Sequence, residues 1–467
     1  MSFRYVTGMF GAPHGFTRDT SQSTERREYR NAVMVYERIL VMLLPQLFST
    51  VVKTLITFFN ETGMWEMETY VTSCIKKILL ICKDSHGVIN YLLDIVEISE
   101  NCPTASDILK IIQNLFTYGD WAHMDHYLLY RFLELYRRST MNEEFESLRW
   151  CLESCIRQGF TCMKRNELVT VISVMMNWVV AVNPAMTLKF AKVMEYAAGT
   201  QNSEPYSLSL EMSFMYSLLE LISSPNRYLS LLGCRLVFLT LDRLKNGSDL
   251  LRAKIFFPTG EFPVKIGQYD ERDNRFIQEI NDVLQTSLLT ALLNHGFHLK
   301  SVEMIFGVIA AIIVEVPSSF SAAVGVSFAM AAQELVLTAP DDLEEAGYRI
   351  HACVVFLVSL VCYVHRAEAF YLYLSKVIEF RAKNAPQLNP PVTTCYDEHP
   401  VVLARRELYL EDYEARYGLL RCFACSESCR SEHEVQQKIS AINKQMKLQF
   451  RTIFTRRSRK SSDLVQS

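Results

Sequence analysis

The sequence predicts an all-α protein built as an α-solenoid, and three observations predict it. From about Thr24 to Phe380 the chain is a series of apolar stretches with helical spacing, separated by short Pro, Gly, Ser, Asn or Asp punctuation. Nothing in it looks like a strand-alternating domain, a glycine-rich phosphate loop or a catalytic constellation. Helix starts recur about every 20 residues and pairs about every 40, so units that cannot bury their apolar faces alone would stack on their neighbours.

The first helix reads from Thr24 to Leu44, after an N-terminal arm over 1–23 that has Gly8, Gly11, Pro13 and Gly15 but no helical period. Pro45 suits the first turn of the second helix, where its missing N–H would have no partner anyway, and that helix stops around Gly63. Met64–Lys83, His86–Ser99, Thr104–Tyr118 and Ala122–Arg138 follow. Thr140-Met141-Asn142-Glu143 reads as a capping box opening the next helix. Its stripe is Phe145, Leu148, Cys151, Leu152, Cys155 and Ile156, and Gly159 is placed to end it in the left-handed conformation. Leu168–Val180 and Met186–Ala198 form another pair, bounded by Asn183-Pro184 and Gly199.

Tyr206–Ile222 and Arg227–Lys245 are joined by Ser223-Ser224-Pro225-Asn226. The second of these reads Tyr228-Leu229-Ser230-Leu231-Leu232-Gly233-Cys234-Arg235-Leu236-Val237 and runs into Leu241-Asp242-Arg243. A small residue for close packing, a nearby arginine and a leucine stripe make it similar to the inner helix of HEAT or armadillo repeats. The resemblance implies a right-handed α-solenoid of HEAT/armadillo-like helix pairs over residues 24–382, and a surface used to bind other macromolecules.

Residues 254–274 interrupt the array with Phe256, Phe257, Pro258, Gly260, Phe262, Pro263 and Gly267. A long non-helical insertion in a compact array is uncommon and often functional. Phe256, Phe257 and Phe262 are therefore candidate partner contacts, against the plainer reading that they pack back on the solenoid. Helices resume at Arg275–Leu293, Lys300–Val314, Ser321–Leu337, Leu343–His365 and Glu368–Ala382, with Asp341-Asp342 as an N-terminal signal for the fourth. Residues 383–400 read as a proline-rich linker, 401–455 as a C-terminal helical segment and 456–467 as a basic disordered tail.

Composition bounds the function. The chain has 467 residues, longer than one compact core usually supports, a limit a solenoid escapes. Hydrophobic residues make up 49%, and a net charge of −3 excludes a chain coated in nucleic acid, so any such contact is local. Thirteen cysteines, an odd number, are scattered and often fall on apolar faces (Cys74, Cys82, Cys151, Cys155, Cys234), which fits free thiols in a reduced compartment. The N-terminus lacks a secretory pattern and a myristoylation glycine. Ala352–Val364 is too short to span a bilayer, and Glu315-Val316-Pro317-Ser318-Ser319 divides Phe306–Ala332, so both read as buried solenoid helices. The expectation is a cytoplasmic protein, not secreted and without a transmembrane segment, with the nucleus as a second location.

The local clusters are weak as sites. Cys422, Cys425, Cys429 and His433 have the residue types of a zinc knuckle but only one half of the usual pair; S-acylation is the other functional reading, and a plain reduced cluster the bland one. His123-Met124-Asp125-His126 has no further ligands at recognisable spacing. The C-terminal helix carries more. Val435, Ile439, Ile442, Met446, Phe450 and Ile453 form one stripe, and Lys438, Lys444, Lys447, Arg451, Arg456, Arg457, Arg459 and Lys460 supply charge without an acidic residue among them. Such a segment docks in a protein groove, lies on an anionic membrane, approaches nucleic-acid phosphate, or simply caps the last repeat. Arg456, Arg457, Arg459 and Lys460 are the candidate contacts there, and the run Arg456-Arg457-Ser458-Arg459-Lys460-Ser461-Ser462 also reads as a nuclear-import signal or a basophilic kinase site. The sequence thus predicts a non-catalytic scaffold or adaptor binding protein partners, with no cofactor, no metal and no small-molecule substrate. The alternatives are a nucleic-acid- or chromatin-associated adaptor and a peripheral membrane scaffold, both using the basic C-terminus.

Overall fold

The computed structural model describes residues 21–42, 47–81, 85–98, 102–117, 126–142, 145–161, 163–200, 204–338, 344–393, 396 and 406–424. Among them are nineteen α-helices and no strand. The chain divides into two compact units, 1–163 and 164–467.

In the first unit the helices are α1 (Ser21–Met42), α2 (Phe48–Thr62), α3 (Glu68–Ile81), α4 (Ser85–Ile98), α5 (Cys102–Thr117), α6 (His126–Met141) and α7 (Glu146–Phe160). They make two layers: α1, α3, α5 and α7 stack in order, and α2, α4 and α6 stack beside them. Because α5 is packed by α3, α7 and α4, its apolar residues Ile108, Leu109, Ile111, Ile112, Leu115 and Phe116 are all buried. Of the stripe expected on α7, Leu148, Leu152, Cys155 and Ile156 are buried, while Phe145 and Cys151 are half-buried. Charge ties the stacked helices at their rims: Arg131 of α6 reaches Asp94 (2.8 Å) and Glu97 (2.9 Å) on α4. Gly63 closes α2 at φ +66°, a conformation a side chain disfavours, and returns its N–H to the Phe59 carbonyl.

Two boundary signals did not act as expected. Thr140 sits in the last turn of α6, where both it and Ser139 donate to the Tyr136 carbonyl, at 2.7 and 2.9 Å. Burial of Tyr136, Ser139 and Thr140 carries that helix past the cap, so the capping box does not form. Gly159 is inside α7, which continues to Phe160 because Phe160 is wholly buried. Residues 1–20, including most of the expected arm, Pro45 and Asp341–Leu343 lie outside the described residues, and Ser21–Ser23 already belong to α1.

The second unit contains α8 (Arg165–Val180), α9 (Pro184–Gly199), α10 (Tyr206–Ser209), α11 (Met212–Ile222), α12 (Arg227–Leu241), α13 (Gly247–Leu250), α14 (Glu271–His295), α15 (Leu299–Glu315), α16 (Ser319–Thr338), α17 (Glu344–Val364), α18 (Glu368–Asn384) and α19 (Asp412–Ala424). One layer runs α9, α12, α15, α17 and α18; the other runs α11, α14, α16 and α19, and α8 pairs with α9. The punctuation at Asn183-Pro184 and Asn226 supplies side-chain caps: Asn183 accepts from the Met186 N–H ahead of α9, and Asn226 accepts from the Tyr228 N–H ahead of α12. Gly233 lets α12 approach α11 so closely that an added Cβ would lie 2.9 Å from the Ile222 nitrogen and 3.2 Å from the Leu218 carbonyl. The close-packing role that the sequence assigns to this small residue is therefore real.

Burial explains the two most apolar helices. Ser319–Thr338 and Ala346–Val364 are long and apolar enough to cross a membrane, yet 72% and 89% of their apolar windows are buried within this fold. Arginines without carboxylate partners act as clamps. Buried Arg381 donates to the carbonyls of Leu408 (2.6 Å), Leu388 (2.9 Å) and His351 (3.2 Å), and burial lowers its pKa to about 10. Arg165 does the same at the C-terminal end of α9, on Ala198 (2.8 Å) and Thr200 (3.1 Å). Within the expected linker 383–400, Pro386–Leu388 forms a 3-10 turn whose Leu388 packs with Ala385 and Leu408. Gln333 then holds the return segment by pairing both ways with Leu410, at 2.8 and 3.0 Å.

Candidate partner-binding surface

The insertion at residues 254–274 shows how neighbouring side chains divide between core and surface. Its irregular part ends at Asp270, which caps α14 by accepting from the Arg272 N–H, so helix resumes at Glu271 rather than Arg275. Asn246 clips the loop with a pair of hydrogen bonds to the Lys265 backbone (2.8 and 2.9 Å), and the Gly267 N–H bonds the Val314 carbonyl at 2.8 Å. Phe256 is 0% exposed, its ring 4.6 Å from Phe262, 5.4 Å from Tyr363 and 6.1 Å from Phe356, and its N–H bonds Ser359 at 3.1 Å. Phe262 is half-buried against Tyr363 at 5.1 Å. Phe257 is 44% exposed and leans on Phe262, so it is the ring of the three that faces outward. Arg366 fixes the loop tip through the Pro258 carbonyl.

Beneath the loop lies a buried charge node. Arg243 pairs with Asp273 at 2.7 Å and Glu315 at 3.4 Å and stacks 4.1 Å over the Tyr206 ring. Glu315 also accepts the Leu244 N–H at 2.8 Å, and Asp273 accepts the Tyr206 N–H at 2.8 Å. Burial is the largest influence on Glu315, with Asp242 adding repulsion, and together they push its pKa up to about 7 against the pull of the Leu244 N–H and Arg243. The node joins α10, α12, α14 and α15. It also accounts for a break the sequence does not show: Tyr206–Ile222 is two helices, parted at an extended, buried Leu210, because Tyr206 is held by Asp273 and its hydroxyl by the Leu241 carbonyl (2.7 Å).

That break opens a groove of about 1150 Å³ between α8 on one side and α10 and α11 on the other. Its walls are two matching polar stripes. Asn166, Thr170, Ser173 and Asn177 recur along α8 at steps of four, three and four, and Ser213, Ser217, Glu220 and Ser224 recur at the same steps along α11 and just past its end. Apolar Val169, Met176, Leu210, Phe214 and Leu221 form the floor. Val180 and Leu208, also in the lining, are 63% and 67% exposed. Thr170, Ser173 and Ser217 donate to carbonyls one turn back on their own helices, and each hydroxyl oxygen keeps acceptor capacity. Glu211 and Glu220 are the charged residues in the lining, both exposed, and no lining residue is basic. The arrangement suits a chain segment that brings hydrogen-bonding groups to the walls, apolar side chains to the floor and positive charge to the rim. In the sequence the groove has one signal, the two polar stripes at matching steps.

Arg456, Arg457, Arg459 and Lys460, the stretch Val435–Thr455 expected to be a basic helix, and Cys425, Cys429 and His433 lie outside the described residues, as do His123 and Asp125. Cys422 falls in the last turn of α19. Among the described residues, no three His, Cys, Asp or Glu side chains gather as a metal ion would require.

A family model described as EFR3, armadillo repeat, matches residues 19–414. No curated protein and no solved structure matches the chain.

Proposed function

The chain belongs to the EFR3 armadillo-repeat family, and from that premise we propose that it is a non-catalytic helical-repeat scaffold whose α8–α11 groove binds a segment of a protein partner. The observation that carries this reading is the pair of matched polar stripes facing each other across an apolar floor. A peptide brings a donor or acceptor at every residue, and a groove with hydrogen-bonding walls keeps those groups satisfied while the floor takes the apolar side chains. Rigid stacking supplies the preorganisation, since the walls are fixed by α9, α12 and α14 before any partner arrives.

The test is affinity purification with mass spectrometry on the full chain and on a Ser173→Arg, Ser217→Arg variant. Both hydroxyls line the groove without being wholly buried, so the variant should keep the wild-type melting temperature and lose a defined set of partners. Identical partner sets would reject the groove as the binding surface.

A second reading, an adaptor for nucleic acid or anionic membrane, rests on the eight basic residues from Lys438 to Lys460 with no acidic residue among them. Phosphate or anionic lipid contacts would be weakened by salt, and each basic residue near a lipid surface contributes about 1 kcal/mol. Changing Arg456, Arg457, Arg459 and Lys460 to Gln should then abolish low-salt binding to DNA, RNA or phosphatidylserine vesicles at unchanged helicity. Absence of such binding by the wild-type chain would reject this reading.

A further inference from the structure

The groove between α8 and α11 has a width and a charge that discriminate among peptides. Given that it is the partner surface, we propose that it takes one extended segment whose residues run basic, apolar, any, apolar, basic.

Width separates an extended ligand from a helical one. The polar stripes, from Asn166 to Asn177 on α8 and from Ser213 to Ser224 along α11, each run about 16 Å at helical rise. A volume of about 1150 Å³ over that length gives a cross-section of about 70 Å². A helix with its side chains is about 10–12 Å across and needs roughly 80–110 Å². An extended chain, about 4.8 Å by 10 Å, needs roughly 50 Å². One extended chain fits between the walls, whereas a helix would stand out of them.

Wall chemistry agrees. The backbone N–H and C=O groups of an extended chain project sideways, at right angles to its side chains. In the groove they would meet Asn166 and Asn177, whose amides both donate and accept. They would also meet the hydroxyl oxygens of Thr170, Ser173 and Ser217, which keep acceptor capacity. A helix has nothing to offer such walls along its length, because its own ladder uses those backbone groups.

Charge then sets the pattern. Glu211 and Glu220 are the charged residues of the lining, both exposed, and at helical rise their backbones lie about 14 Å apart along the axis of α11. An extended chain covers about 3.3 Å per residue, so about four residues separate the points that face the two carboxylates. An even step puts both basic side chains on one side of the ligand, toward the rim. The second and fourth residues turn the other way, onto the floor of Val169, Met176, Leu210, Phe214 and Leu221. Exposed Val180 and Leu208 continue that apolar surface at the edge. A rim pair of this kind is worth up to about five-fold in affinity and selects against acidic segments.

The experiment selects random displayed peptides, long enough to bind either extended or as a helix, on the immobilised full chain at low salt. Peptides that the Ser173→Arg, Ser217→Arg chain also retains are discarded. The remainder should share two Lys or Arg residues four positions apart, with apolar residues at the second and fourth positions. A synthetic consensus peptide should bind Glu220→Lys up to about five-fold more weakly than wild type, at unchanged melting temperature. Replacing the lysine at one end of that peptide with glutamate should restore its binding to Glu220→Lys, and replacing the lysine at the other end should restore binding to Glu211→Lys. No enrichment, a consensus without the basic pair, or affinities indifferent to both charge reversals would overturn the proposal. So would a basic pair about nine positions apart, the spacing at which a helix spans the same 14 Å. If cellular partners are lost on Ser173→Arg, Ser217→Arg while the selected peptides lack the pair, the groove remains the binding surface and this ligand chemistry fails. If the pair is selected and follows the charge reversals but no cellular partner is lost, the ligand chemistry stands and the scaffold reading fails.

Discussion

At the scale of single residues, this protein is held by buried groups whose surroundings leave little room for change. Gly233 is the clearest, because the atoms an added Cβ would meet are backbone atoms of α11 and cannot rotate away. Gly233→Ala should gain up to about 1 kcal/mol of helix propensity yet be destabilised overall, since overpacking costs about 1–3 kcal/mol. Urea unfolding would check the sign. Glu315 makes a pH prediction. Its folded pKa, raised to about 7 by burial and the neighbouring Asp242, lies above the unfolded carboxylate value of about 4.3. Between those values the folded state holds the extra proton, so stability from this group is greatest below about pH 4.3 and falls as pH rises to about 7, by an amount on the order of a few kcal/mol. Glu315→Gln should flatten the stability profile in that window. The groups around it, Arg243, Asp242, Asp273 and Tyr206, remain in the variant, so an unaltered slope would assign the pH dependence to them.

At the scale of elements, the irregular loop before α14 behaves as part of the core on one side and as surface on the other. Successive residues of extended backbone face opposite ways, and Phe256 and Phe257 divide accordingly. Phe256→Ser should cost at least about 3 kcal/mol by leaving a cavity among Phe262, Phe356 and Tyr363 and a hydroxyl within it. Phe257→Ser should stay within about 0.5 kcal/mol of wild type, as exposed positions do. Equal losses in thermal melts would show that the exposed ring is held by the fold as firmly as the buried one. The loop was legible as an interruption, because prolines and glycines cannot continue a helix. Which ring turns inward was not, because it depends on Ser359 and Tyr363, about a hundred residues away in sequence. The same limit applies to the break before Met212, set by Asp273, and to Thr140, whose capping chemistry lost to burial of its own helix.

At the scale of the whole molecule, helix spacing makes the repeat class readable while leaving the groove unreadable. An apolar stripe says that a face is buried, and α5, α12 and α15 are buried as their stripes require. The polar faces of α8 and α11 read only as solvated, and their alignment comes from stacking through α9 and α12. Stacking of this kind also predicts how damage spreads. In a nearest-neighbour array each helix pair is stabilised by the pairs it touches, so a weakened pair lowers the opening free energy of its neighbours first. Gly233→Ala in α12 should therefore accelerate native-state hydrogen exchange most in α12 itself and in α9, α11 and α15, which it packs against. The effect should decline through α14 and α17 and be least in α18 and α19. Mass-spectrometric exchange at fixed pH would resolve the gradient. Uniform acceleration across residues 164–424 would mean that this unit opens as one cooperative body, and the quasi-one-dimensional account of its stability would then be wrong.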